Sequence, residues 1–210
     1  MKFLKISACL LLALFFCAFS HRIMAGEDPV DCIEEIGIAI DAADADTFQE
    51  LVDLDSVLQN GLTAFLQEAN KPENASKLPP LAAMLVQQMS DSGSAGNGLR
   101  SLVLDQMRSF ILHGIASGSF AGKKVQNAPS GSLLAPLFEN ASMGRKQITN
   151  IGLPQADGNA WLVPFTIHDH GNDNDYQITG KLAPFDNGLR FTEIVNIIPL
   201  LTQIGNESLE

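Results

Sequence analysis

Cysteine, aromatic residues beyond phenylalanine and positive charge are all scarce in this chain of 210 residues, which has 3 Cys, 1 Trp and 1 Tyr. Cys9 and Cys17 lie in an amino-terminal apolar segment with the form of a leader, so its removal leaves Cys32 alone and rules out an intramolecular disulfide. The fold must then hold by packing. The roughly 185 residues that remain can bury about 70% of their unfolded surface, enough for one core without covalent staples. Lys and Arg number 13 against 24 Asp and Glu, a net charge of −11 that becomes −13 when Lys2 and Lys5 are lost and −14 when Arg22 goes as well. The adjacent basic pairs are Lys123 with Lys124 and Arg145 with Lys146, too few for a phosphate-binding face, so nucleic acid is not an expected partner. An acidic surface favours solubility and repels anionic surfaces.

Long hydrophobic runs are also missing. The apolar stretch from Ile6 to Phe19, preceded by Lys2 and Lys5, is too short for a bilayer span and reads as a signal peptide of residues 1–20. Ala18 and Ser20 supply the small residues a signal peptidase takes, and Ala25 offers an alternative cut. A lipid anchor on Cys17 would need a small residue where Phe16 stands. No stable membrane span is expected after removal, and the localisation expected is export, periplasmic or extracellular. Catalytic patterns are wanting too: no Ser sits in a nucleophile elbow and no phosphate-binding Gly motif occurs.

What the chain does contain is a period-two pattern near its end. Trp161, Val163, Phe165 and Ile167 alternate with residues that include Thr166 and His168, as in a half-buried strand. Tyr176, Ile178 and Leu182 repeat the pattern after the short polar segment Asp169 to Asn174, and Pro184 is taken as its end. Asp186, Asn187 and Gly188 make a second turn before a third strand from Leu189 to Ile197. A weaker strand is expected over Gln147 to Leu153, followed by Pro154 and a turn at Asp157 and Gly158. Pro164 removes a ladder donor from the first of these strands, which argues for an edge position or a bulge there.

The region before the meander has helical periodicity. Asp28 and Pro29 form a helix start, followed by the stripe Ile33, Ile36, Ile40 and Ala43. A second helix is placed from Asp46, with Gln49 in a capping-box position, and a third from Asp55 to Ala69. Pro79 and Pro80 open a fourth carrying Leu81, Met84, Leu85 and Met89. The Ser, Gly and Asn run from Ser90 to Gly98 reads as a loop, after which Leu99, Val103, Met107, Phe110 and Ile111 form another stripe. The Met residues are read as adaptable core. Leu133, Leu134, Leu137 and Phe138 make a further apolar segment. The pattern predicts one α+β domain over 27–199, a helical layer (27–138) on an antiparallel sheet (143–198), with 200–210 as a tail from which Leu200, Leu201 and Ile204 could dock a last turn of helix.

Helices first and sheet last, with the strand Asn187-Gly188-Leu189-Arg190-Phe191-Thr192-Glu193-Ile194 near the end, is similar to the nuclear-transport-factor-like, cystatin-like superfamily of cone-shaped α+β folds. Ala42-Ala43-Asp44-Ala45-Asp46, then Leu51-Val52-Asp53-Leu54-Asp55-Ser56-Val57-Leu58, and Pro199 after the last strand, resemble a bacterial family of exported proteins without an assigned activity. Phe191 stands about where such families more often place a Trp. The resemblance brings no catalytic residues with it.

The residues with metal-ligand character are His168, His170, Asp173 and Asp175, in the run His168 to Asp175. The cluster lacks calcium-hand spacing and the further His, Cys or Glu of a structured zinc site, and a hairpin tip already accounts for its Asp and Asn content. Asp44, Asp46, Asp53 and Asp55 sit where helix caps need short acceptors, which outweighs reading them as paired acid and base. Cys32, beside Ile33, reads as a small core residue. Catalytic, cofactor and metal residues are accordingly expected to be none. Two functions remain open: an exported, non-enzymatic binding or envelope-accessory domain acting on a protein or small ligand, or a carrier or enzyme whose pocket lies between the helices and the concave sheet face.

Overall fold

The computed structural model describes residues 28–75, 78, 80–91, 93–124, 142, 144–186 and 188–207. The expected leader and the apolar segment from Leu133 to Phe138 lie outside the described residues.

Three early helices start where short acidic side chains can satisfy orphan amides. Asp28 accepts from Val30 N at 2.8 Å and Pro29 occupies the first turn of α1 (Pro29–Ala42). Ala43 then takes a left-handed conformation, φ 61°, and turns the chain so that Asp44, not Asp46, caps α2 (Ala45–Leu51). Asp44 accepts from both the amide and the hydroxyl of Thr47, at 3.0 and 2.7 Å. Asp53 repeats the device on Ser56, at 3.1 and 2.7 Å, to open α3 (Leu54–Ala69). The short turn α4 (Pro72–Ala75) precedes α5 (Pro80–Ser90) and α6 (Ser94–Ala116).

The expected loop from Ser90 to Gly98 is thus largely helix, since α6 begins at Ser94. Its local propensity is poor, but Gly96 is buried against the end of α5, where a Cβ would stand 2.7 Å from Gln88 O. Only glycine allows that approach, and the packing of α5 on α6 outweighs the residue's entropic cost. On α5 the inward residues are Leu85, Val86 and Met89, whereas Met84 is 48% exposed and leaves the core stripe assigned to it.

A five-stranded antiparallel sheet follows: β1 (Lys146–Thr149), β2 (Gln155–Asp157), β3 (Ala160–Asp169), β4 (Asn174–Phe185) and β5 (Gly188–Ile194), in the order β1-β3-β4-β5 with β2 also on β3. The meander is therefore as expected, whereas the weaker strand expected over Gln147 to Leu153 ends at Thr149, and β2 is a further short strand beyond Pro154 that takes in Asp157 of the expected turn. The gap between them answers the difficulty of Pro164. Thr149 pairs with Thr166 and Gln155 with Leu162, so residues 150–154 leave the ladder opposite the proline, whose missing donor faces the interruption. Gly152 N still donates to Pro164 O at 2.8 Å. Pro184 does not end β4; it pairs with Leu189, and the strand runs one residue further.

One sheet face carries Val163, Phe165, Ile178, Leu182, Leu189 and Phe191 into a core shared with Cys32, Ile33, Ile36, Leu51, Leu58 and Ile115. The α+β reading holds in this sense: helices α1, α2, α3 and the carboxyl half of α6 cover one face. Trp161 departs from it. It shares the face of Val163 but is 37% exposed, because it lies at the end of β3 where β2 pairs and the helical cover has run out.

Both unpaired edges near β5 are closed by particular groups. Val52 bridges Phe191, Asp53 N donates to Phe191 O at 2.8 Å, and the Arg190 guanidinium donates to Gln49 O and Val52 O at the end of α2. Beyond the end of β5, Asn196 takes over the ladder of β4, accepting from Thr179 N and donating to Gln177 O, both at 2.7 Å. The chain then forms α7 (Ile197–Glu207), so the expected tail is helix through 207, with Leu200 in the core and Gln203 donating to Asp175 O. A second apolar cluster, Leu62, Leu66, Ala69, Leu85, Val86, Met89 and Val103, joins the far halves of α3 and α6 to α5, and Leu104 and Met107 touch both clusters.

Candidate functional site

The β3–β4 hairpin brings His168, His170, Asp173 and Asp175 together on the sheet face opposite the core. His168 is paired across the ladder with Asp175, whose Oδ1 lies 2.8 Å from His168 Nδ1. Asp173 takes a left-handed conformation, φ 59°, in the turn, and its Oδ1 is 3.7 Å from His168 Nε2. His170 meets His168 edge to face, ring centroids 4.3 Å apart, and points its Nε2 at Gln147 Oε1, 3.0 Å away. The two imidazoles therefore face different acceptors, and among the described residues no group of three or more His, Cys, Asp or Glu converges to hold a metal ion. Asn172 works as turn chemistry does, accepting from Asn174 N at 3.2 Å and donating to the Tyr176 hydroxyl at 2.7 Å.

At the same hairpin, on the core side, lies a group the sequence reading did not single out. Asp169 continues the face of Phe165 and Ile167, and its register partner on β1 is Lys146. The Lys146 ammonium is 2.7 Å from Asp169 Oδ1 and sits 5.3 Å from the centre of the Phe120 ring. Ser142 donates its hydroxyl to Asp169 at 2.8 Å, Gly171 N donates to the same oxygen at 2.9 Å, and Lys146 donates to Ser142 O at 2.9 Å. Burial holds the Lys146 ammonium below the usual lysine range, and the Asp169 carboxylate opposes that shift. A Ser, Lys and Asp in contact could suggest an activated nucleophile. Here Gly171 closes directly over the Ser142 hydroxyl, which is committed to Asp169, so the cluster ties the turn to the chain before β1. The period-two count carried to Asp169 was the available signal, since a carboxylate on an apolar face demands a partner.

The other acidic residues are where capping puts them. Asp44 and Asp53 have carboxyls held below the usual range, the first chiefly by the Thr47 amide and the second chiefly by the Ser56 hydroxyl. Asp55 pairs with Arg108, which also donates to Gln49. Cys32 is fully buried with its Sγ 3.7 Å from Leu189 O, and burial pushes its thiol from 9.0 up to about 12.

The space between the helices and the sheet is filled by the main core. An open pocket of about 450 Å³ lies elsewhere, between α3, α5 and α6, lined by Gln59, Leu62, Thr63, Leu66, Gln67, Asn70, Ser90, Arg100 and Leu104. No helix among the described residues is long and apolar enough to cross a membrane. Comparison of the chain with protein-family models, curated proteins and solved structures gave no match.

Proposed function

We propose that the protein is an exported, non-enzymatic binding or accessory domain of a cell envelope, acting on its partner through its surface. The observation that carries this reading is the filled interior. Ile33, Leu51, Val163 and Leu182 are buried to 2% exposure or less where a substrate pocket of a helix-on-sheet cone would open. The buried pair Asp169 and Lys146 supports it too, because both are engaged in a structural bond.

Two measurements test the proposal. Mass spectrometry of fractionated cells is expected to find a chain beginning at His21 or Gly26 outside the cytoplasm, and a cytoplasmic chain that keeps Met1 overturns export. A photoreactive residue at Gln177, exposed on the face away from the core, is expected to cross-link one reproducible partner. Turnover of ester or phosphate-ester substrates that is lost in His168→Gln would replace the binding reading with an enzymatic one.

A further inference from the structure

We infer that the pocket between α3, α5 and α6 is a binding site for a small organic monocarboxylate with an apolar body. The proposal does not depend on the binding role assigned above, since it concerns a different part of the molecule.

The floor and the rim of this pocket differ in chemistry. Leu62, Leu66 and Leu104 supply an apolar floor, and Gln59, Thr63, Gln67, Asn70, Ser90 and Arg100 supply polar groups around it. Its volume of about 450 Å³ lies within the range of small-molecule sites, roughly 300–1,000 Å³. Several polar groups are already tied down. Asn70 donates to Leu66 O and to the Ser90 hydroxyl, at 2.7 and 2.8 Å, and Thr63 donates to Gln59 O at 2.8 Å. These bonds fix the walls, because they lock the end of α3 to the end of α5.

What remains is donor capacity. Arg100 donates its Nε to Met89 O at the end of α5, which anchors the guanidinium and leaves its terminal N–H groups unspent. It makes no ion pair among the described residues, whereas Lys71, Arg108, Arg145, Lys146 and Lys181 each have a carboxylate. Among the described residues Lys123, Lys124 and Arg190 make no ion pair either, and what sets Arg100 apart from them is its place in the lining of a pocket. Gln59 and Gln67, both exposed, present their side-chain amides in the same lining. An anchored guanidinium presents a planar fork suited to a carboxylate, and the amides add donors around it. A single cation in an acidic protein favours a monovalent over a divalent anion. The apolar floor asks for a hydrocarbon body, which excludes inorganic anions as the preferred ligand.

The test is titration of the folded protein with octanoate, octanamide and inorganic phosphate, followed by backbone amide NMR. Octanoate is expected to shift Gln59, Thr63, Gln67 and Arg100 saturably, and octanamide to bind about tenfold more weakly, the loss of one charge-assisted pair. Arg100→Gln should lower octanoate to the level of octanamide, and Thr63→Trp, at an exposed rim position, should abolish binding of both by filling the space. If Arg100→Gln fails to fold, the Trp variant and the ligand series decide alone. Equal binding of octanoate and octanamide, phosphate binding as tight as octanoate, shifts elsewhere, no saturable shift, or octanoate binding unchanged in Thr63→Trp would each overturn the proposal.

Discussion

Gly180 lies in the middle of β4, beneath an edge-to-face pair of rings, Phe165 and Phe191, with centroids 6.2 Å apart at 71°. A Cβ at this position would fall inside 3.0 Å of Phe191 Cε2 and 3.1 Å from Phe165 Cε1. Phe191 is buried in the main core and carries the bridge to Val52, so its ring cannot swing into solvent to make room. Gly180→Ala should therefore cost about 1–3 kcal/mol in overpacking. Disturbing the ring pair adds about 0.5–1.5 kcal/mol. Against this, removing glycine from the unfolded chain returns about 0.4–1 kcal/mol, leaving a net loss of about 0.5–4 kcal/mol. With a urea m-value of about 2 kcal/mol per molar, the midpoint should fall by about 0.25–2 M. Gly61→Ala is the matched control. It sits in α3 with nothing within 4 Å of the added Cβ, so the same chemical change should raise stability by about 0.5–1 kcal/mol. Far-UV circular dichroism through a urea titration measures both. An unchanged or higher midpoint for Gly180→Ala would refute the close approach of Phe191, and Phe191→Leu in the same chain should recover part of the loss if the clash is its cause.

Trp161→Ala should cost about 1–2 kcal/mol, below the roughly 3–5 kcal/mol of a fully buried Trp, because the side chain ends the sheet face in solvent; a blue-shifted native emission would contradict its exposure. Cys32 has a folded pKa raised from 9.0 to about 12, so its contribution to stability is complete below pH 9 and is lost as pH rises from there toward 12. Urea midpoints at pH 8 and pH 10.5 should fall less in Cys32→Ala than in the native chain, and rapid thiol labelling at pH 8 would contradict the burial. Asp169→Asn strands the Lys146 ammonium and should cost about 3–5 kcal/mol, whereas Asp169→Leu with Lys146→Met should be much nearer neutral. Thermal melts of the two variants beside the native chain decide, and a double variant as unstable as Asp169→Asn would refute the ion-pair account.

Much of the fold was legible in the sequence by itself, because the elements concerned are governed by local rules. Alternation at Val163, Phe165 and Ile167 and at Tyr176 and Ile178 chose the buried sheet face, and polar turns at Asp169 to Asn174 and at Asp186 chose the meander. Asp28 at a helix start, and the caps among Asp44 to Asp55, needed only a short acceptor before an apolar stripe. The hairpin turn between His168 and Asp175 was likewise legible in its Asp, Asn and Gly content.

Tertiary structure decided wherever a local preference was outweighed, or completed, by a distant partner. Residues 94–98 are helical because α5 packs on Gly96, and 197–207 because Asn196 and Gln203 satisfy the edge of β4 where β5 has ended. Pro164 is tolerated inside β3 because the ladder beside it is broken at residues 150–154. Periodicity cannot report how far the helices reach along a sheet, so Trp161 could be placed on the core face but not known to lie beyond its cover. Nor can it report which charges meet, since Lys146 and Asp169 are 23 positions apart in sequence and adjacent only through the register of β1 on β3. The pocket at Arg100 belongs to the same class: its walls come from three helices whose relative placement depends on the packing of Leu62, Leu66, Leu85 and Val103.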